Sequence, residues 1–267
     1  MRILSIDSSL GTQLAVVETA GAAEAAVLPG RRDTDAGDHA LRVLSRTEQT
    51  DTRRHAESLG QMLSEALSTP DAADRPLDAV VAATGPAPFT GLRAGLVTAR
   101  VVGRTRGVPV HGVSSLDAVA RRALDESAAQ GGEPDPVVLV ATDARRREVY
   151  AALFRANGPD DVTRLTEIDV CPPTLVVERI SEQAGGIGTV DLVAGSGAAL
   201  YPELTEQTRS REALAPVSGD VLTQVRIALA RLGRGEELGT EPLYLRHADV
   251  QMPAAANACT DRVSLFR

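Results

Sequence analysis

Ala79-Val80-Val81-Ala82-Ala83 is an apolar run of strand length, and it empties into Gly85-Pro86-Ala87-Pro88-Phe89-Thr90-Gly91-Leu92-Arg93-Ala94-Gly95. A buried strand that leaves through a Gly/Pro elbow and enters a helix starts an α/β unit with few topologies open to it. Pro86 and Pro88 withhold two backbone N–H groups and hold their predecessors extended, so the elbow is stiff and cannot join a sheet. Thr90 is the expected N-cap of a helix over Thr90–Arg106. Within it, Gly91, Gly95, Ala99 and Gly103 recur every four residues and form one nearly straight row that a backbone can approach closely. Close packing on the chain's own sheet and a groove for a helix of another chain both fit that row. Leu92, Leu96, Val97, Val101 and Val102 spread over more than one face, as in a helix covered on two sides.

Residues 2–8, 12–19 and 22–28 read as three successive strands, with turns at Leu10-Gly11 and Ala20-Gly21. From Pro29 to Asp51 the chain is polar and charged, and reads as a long loop. An amphipathic helix over Thr52–Ser68 carries His55, Leu59, Met62, Leu63, Ala66 and Leu67 on one stripe. A strand over 109–115 and a helix over 116–127 follow the elbow helix, and Gly131-Gly132-Glu133-Pro134 breaks the pattern. Strands are then expected over 137–142, 148–156 and 162–170, a helix over 174–184 and a short strand over 192–194. Gly195-Ser196-Gly197 turns into 198–201, and a late helix covers 221–232. Three strands followed by helices thus occur twice. The pattern predicts two α/β halves, 1–110 and 111–267, with the late helix packing back on the first half and a frayed tail after 246.

Composition removes several function classes. A net charge of −8 argues against a broad nucleic-acid surface, because that affinity comes largely from neutralising phosphates. Arg100, Arg104 and Arg106, like Arg145, Arg146 and Arg147, read as solvated helix and turn surface. Cys171 and Cys259 have no neighbouring cysteine, so neither a disulfide framework nor a zinc knuckle is indicated. No apolar run approaches the roughly 20 residues of a membrane span, and the chain opens on a strand pattern where a signal peptide would stand. The expected location is the cytoplasm.

The elbow resembles the G-P-G-S-F-T-G-L-R-I-G signature of the TsaB (YeaZ) family, needed to make threonylcarbamoyladenosine in tRNA. Eight of eleven positions agree, with Ala87, Pro88 and Ala94 the departures. Ile3-Leu4-Ser5-Ile6-Asp7-Ser8-Ser9, Val108–Asp117, Thr142–Arg145 with Glu148-Val149-Tyr150, and Pro242-Leu243-Tyr244-Leu245-Arg246 are similar to that family in its order. The resemblance implies an actin-like, sugar-kinase (ASKHA) fold, two similar α/β halves facing a cleft. It implies a scaffold that heterodimerises with the paralogue TsaD, with TsaE as ATPase subunit and tRNA reached only through the complex. Homodimerisation of the lone chain stays open. The two helices 52–68 and 90–106 would form the partner surface, through His55, Leu59, Met62, Leu63, Leu92, Gly95, Ala99 and Gly103.

The related TsaD-type enzyme carries two histidines four apart, where one metal can join them. Ser115 and Val119 stand at those positions here, so neither a metal site nor catalytic residues are expected. Asp7, Ser8 and Thr12 resemble the first phosphate loop of the actin and sugar-kinase fold, and an Asx/Ser turn closing the hairpin is the other reading. Asp143, Gly195 and Gly197 would face it from the second half, giving a weak or vestigial nucleotide site. No cofactor of its own is expected, with ATP or ADP at the partner interface left open. The competing class is a self-sufficient enzyme: a kinase using Asp7 and Asp143 around Mg-ATP, or a metal-dependent glycoprotease.

Overall fold

The computed structural model describes residues 1–19, 41–50, 55–184, 190–206, 208 and 218–245, with the side chains of 55–57 excepted. Strands β1 (Arg2–Asp7) and β2 (Thr12–Thr19) pair antiparallel, and Gly11 at φ +73° closes the turn between them. The expected strand 22–28 lies outside the described residues. The third strand is instead β3 (Leu41–Gln49), inside the stretch read as loop. It forms the sheet edge, so Arg42, Arg46 and Glu48 can stay in water while Ser45 is buried and donates to the Ala66 carbonyl at 2.7 Å. A bulge places Val43 opposite Val17 and Ser45 opposite Val16, with Leu44 unpaired between them. That extra residue breaks the two-residue alternation by which a strand is recognised.

Helix α1 (His55–Ser68) leads through the short α2 (Pro70–Ala73) to β4 (Ala79–Ala83), α3 (Phe89–Arg106) and β5 (Val110–Val113). The first sheet runs β3-β2-β1-β4-β5, with β4 parallel to both β1 and β5. Thr90 does not cap α3: the helix begins at Phe89, with Pro88 as N-cap and no side-chain cap. With Pro88 at the N-cap, Thr90 already lies inside the first turn, where its own backbone N–H is one of the orphan donors and its hydroxyl is not placed to cap the helix. The αL residue Gly107 closes the other end.

Helix α4 (Ser115–Ala129) crosses to the second sheet. There β6 (Val138–Arg145) and β7 (Glu148–Ala156) form a hairpin, and the segment expected as one strand over 162–170 divides into β8 (Val162–Arg164) and β9 (Asp169–Cys171), both on β7. A 3₁₀ turn over Pro173–Leu175 precedes α5 (Val176–Gln183), because two successive prolines bar a helical start at 172. Then come β10 (Leu192–Ala194), parallel to β6, the short α6 (Ser196–Leu200) and α7 (Glu203–Glu206), and α8 (Val221–Gly233), whose N-cap Asp220 accepts from Leu222 and Thr223 N–H.

Each sheet is covered on both faces. In the first half, α1 and α3 bury Leu59, Met62, Leu92 and Leu96 against Leu4, Ile6 and Val80. On the opposite face α8 buries Val221, Val225 and Ile227 against Ile3, Val17 and Val81. In the second, α4 packs Leu116, Val119 and Leu124 on Val138, Val140 and Phe154, and α5 packs Val176 and Ile180 on Leu139, Val149 and Leu153. With so few aromatics, these cores are built from branched aliphatics and alanine. Among the described residues no helix is long and apolar enough to cross a membrane.

Candidate partner-binding face and the cleft

Helix α3 carries two four-residue rows on opposite sides. Gly91, Gly95, Ala99 and Gly103 are buried, and they face the chain's own sheet. A Cβ at Gly95 would overlap Ser8 Oγ and lie 3.1 Å from Ser8 Cβ; one at Gly103 would overlap the Val110 side chain and lie 3.1 Å from the Val108 carbonyl. The small row is therefore how α3 seats on β1 and β5, and the groove for a foreign helix is not there. The same correction applies to Leu59, Met62 and Leu92, which are buried in the core between α1, α3 and the sheet. Leu63 is half-buried against that core, and the side chain of His55 lies outside the described residues. A residue on the sheet side of a covering helix has already lost its water and has little left to offer a partner.

The other row is Phe89, Arg93, Val97, Val101 and Thr105, spaced by four and all exposed. Val97 and Val101 are 58% and 54% exposed among the described residues. At the head of the row, the chain returns after α8 as a strap over 236–245. Gly112 N–H donates to the Leu238 carbonyl at 3.2 Å, and Leu243 N–H donates to the Thr84 carbonyl at 2.9 Å. A side chain at residue 112 would strike the backbone of Gly239, so glycine is what lets the strap lie flat on β5. Arg100 holds the strap from α3, donating to the Thr240 carbonyl at 2.7 Å and pairing with Glu241 at 3.0 Å.

The strap ends on the elbow helix. The Phe89 and Tyr244 rings lie 5.1 Å apart, and the Arg93 guanidinium sits 3.6 Å from the Phe89 centroid while Arg93 Nε donates to Tyr244 Oη at 2.8 Å. Phe89, Val97, Val101 and Tyr244 are four of the exposed large hydrophobics among the described residues, and they share this side of α3. Sequence reasoning missed the patch. A signal was present: with three Phe, three Tyr and no Trp in the chain, an aromatic spent at the start of a helix is conspicuous.

The residues expected at a phosphate site make hydrogen bonds within the chain. Ser8 Oγ is buried and donates to the Gly91 carbonyl at 2.8 Å. Asp7 accepts from Ser9 N–H at 2.8 Å, Ser9 Oγ at 2.6 Å and Gln224 Nε2 at 2.9 Å. Burial pushes the Asp7 carboxyl above its ordinary value, against those hydrogen bonds. Thr12 is buried in β2, opposite Gln49. In the second half Asp143 accepts from Arg145 N–H and pairs with its guanidinium at 3.3 Å, and its own N–H is held by Ser196 Oγ. Gly195, at φ +110°, and Gly197 let α6 lie against the Ala141 carbonyl. The structure thus assigns Asp7 to the α8 joint and Asp143 to the β6–β7 turn.

Val119 is an aliphatic core residue of α4, and Ser115 donates its N–H to the Gly85 carbonyl of the elbow at 2.8 Å. An aliphatic side chain cannot ligate a metal. Among the described residues no group of three His, Cys, Asp or Glu is placed to hold one.

Comparison with known proteins agrees with this arrangement. The family model described as TsaD, tRNA N6-adenosine threonylcarbamoyltransferase, matches residues 42–181. An uncharacterized protein of Mycobacterium tuberculosis is 41% identical over 150 residues, covering 55% of this chain and 65% of that one, so the match spans somewhat under two thirds of the relative's length. The Escherichia coli tRNA threonylcarbamoyladenosine biosynthesis protein TsaB is 29% identical over 203 residues, covering 73% of this chain and 82% of its own. The solved structure of YeaZ from Pseudomonas aeruginosa superposes with a TM-score of 0.65 at 22% identity, covering 91% of this chain and all of that one. The fold is that of YeaZ, the actin-like or ASKHA arrangement of two α/β halves.

Proposed function

Because the chain belongs to the TsaD family, whose model covers residues 42–181, we propose that it is the TsaB-type subunit of that family, required for threonylcarbamoyladenosine synthesis in tRNA and without a catalytic centre of its own. Its similarity to TsaB of Escherichia coli and to the YeaZ fold supports that assignment. In this reading the chain docks a TsaD-type paralogue, with the TsaE-type ATPase joining the complex, and meets tRNA only through it. It binds no metal or nucleotide alone, and any ATP or ADP is shared at the partner interface. Val119, in place of a metal-ligating histidine, argues against the glycoprotease alternative, and the committed hydroxyl of Ser8 argues against the kinase.

The observation that carries the reading is the exposed row of α3. Phe89, Val97, Val101 and Tyr244 present apolar surface on a side of the helix that the described residues leave uncovered. An aromatic and arginine cluster beside aliphatic residues is the composition of an interface centre. These four residues are between 44% and 58% exposed, so covering what remains is worth roughly half of the 1.5–3 kcal/mol of each full side chain, a contribution that polar contacts around the patch must supplement to meet the cost of association.

The test is a Val97→Asp/Val101→Asp double variant, mixed with the TsaD-type protein of the same source and analysed by size exclusion with light scattering. The expected result is an unchanged Tm with loss of the complex and of tRNA modification in reconstitution. A variant that still forms the complex overturns the reading.

A further inference from the structure

Helix α8 has a second face whose purpose the partner surface does not explain. Its apolar side lies on the first sheet, but Arg226 and Arg231 project from the other side to the turn 158–162 that joins β7 to β8 in the second half. Arg226 Nε donates to Asp160 Oδ1 at 2.7 Å, Nη1 to Asp125 Oδ2 at 2.7 Å, and Nη2 to the Pro159 carbonyl at 2.8 Å. Arg231 pairs with Asp161 at 2.9 Å and with Asp117 of α4 at 2.8 Å. Arg234, just past the helix, also pairs with Asp161. From α4, Arg121 donates to the Gly158 carbonyl at 3.1 Å and the Asp161 carbonyl at 3.3 Å, and pairs with Asp125 at 2.9 Å.

Four arginines therefore meet four aspartates, and the centre is dry: Arg226, Asp160 and Asp161 are 3%, 4% and 1% exposed. Each planar guanidinium is engaged by more than one acceptor, a geometry that tolerates little sliding. Moving α8 by even part of a helical turn against the 158–162 turn would leave buried charges unpaired, the costly half of any buried ion-pair arrangement. At its other end, α8 is tied to the first sheet by Gln224, whose Nε2 donates to the buried Asp7. The carboxylate that would face a nucleotide in a kinase of this fold is part of the fastening.

We propose that this network is a clamp that fixes the two halves at one angle, so that the chain works without the opening and closing of its cleft that a nucleotide-driven enzyme of the same architecture requires. Domains close by hinge or by shear of packed helices, and either motion of α8 against the second half would have to break these ion pairs. The proposal does not rest on the partner assignment. It holds equally for the lone chain.

Spin labels placed at Gln61→Cys on α1 and Glu182→Cys on α5, in a Cys259→Ser background, report the distance between the halves by pulsed electron resonance. One narrow distance is expected, unchanged by saturating Mg-ATP, and an Asp160→Asn/Asp161→Asn variant is expected to broaden it while keeping its helical circular dichroism. Two distance populations in the unaltered clamp, or a shift with Mg-ATP, overturn the proposal, and so does a folded double variant with an unbroadened distance. Should the double variant fail to fold, the measurement on the native clamp with and without Mg-ATP decides alone.

Discussion

Replacing Gly95 by alanine adds one methyl group to the middle of α3, and the structure sets where it must go. On an exposed helix face this exchange stabilises by about 1 kcal/mol, because glycine is the poorer helix former. At residue 95 the methyl carbon would overlap Ser8 Oγ and lie 3.1 Å from Ser8 Cβ and 3.6 Å from Ile6 Cγ2. Ser8 is a short side chain, buried and hydrogen-bonded to the Gly91 carbonyl, so it cannot swing into solvent. Overfilling such a site costs about 1–3 kcal/mol, and losing the buried hydrogen bond costs about 1–3 kcal/mol more. Less the gain in helix propensity, the net expectation is destabilisation by about 1–5 kcal/mol, a fall in Tm of roughly 2–20 °C for a chain of this size. Urea unfolding of native, Gly95→Ala, Ser8→Ala and the double variant completes a cycle. Removing the hydroxyl relieves the overlap, so the double variant should be less damaged than the sum of the singles by about 1 kcal/mol or more. A Gly95→Ala protein that melts higher than native, or a cycle that is additive, would refute the seating of α3 on β1.

Two further outcomes follow from buried ionisable groups. Asp7 has its carboxyl raised by burial, so from the ordinary carboxyl range upward the folded state holds more protons than the unfolded one, and stability falls as pH rises through the raised value. Asp7→Asn removes that titration, and its Tm relative to native should be more favourable at pH 7 than at pH 3; a difference independent of pH would contradict the burial argument. The Cys171 thiol is 1% exposed and pushed up to about 11 by burial, so in a Cys259→Ser background Ellman's reagent should find no fast-reacting thiol at pH 8 until denaturant is added.

Most of the framework was legible because its elements have one strong period each. The runs 2–8, 12–19 and 79–83 and the stripe of 221–232 appear where their apolar spacing placed them, within a residue or two, and the helix expected over 52–68 is helical throughout its described part, His55–Ser68. The edge strand β3 was illegible for two physical reasons: one side of it faces water, and the bulge at Leu44 shifts its phase midway. The interface residues failed differently. The two-sided apolar character of α3 was correctly read, but periodicity reports that a helix has two faces without saying which meets the sheet. Only the overlap of a Cβ at Gly95 with Ser8 decides that the small row is inside and that Val97 and Val101 are outside. The strap was invisible for a similar reason, since Tyr244 acquires its meaning from a helix that begins at Phe89, far back in the chain.

The return of α8 to the first sheet has a consequence for biogenesis. On the ribosome, β1, β2, β4 and β5 emerge early, yet among the described residues the face carrying Ile3, Ala15, Val17 and Val81 has only Ala118 of α4 to meet it until Val221, Val225 and Ile227 of α8 are made. Through the synthesis of the entire second half, that aliphatic surface is available to chaperones and to other nascent chains. A fragment ending after β5 would carry the same exposed face permanently, so a split-protein or truncation strategy should keep α8 with the first half and not divide the chain at the middle of its sequence.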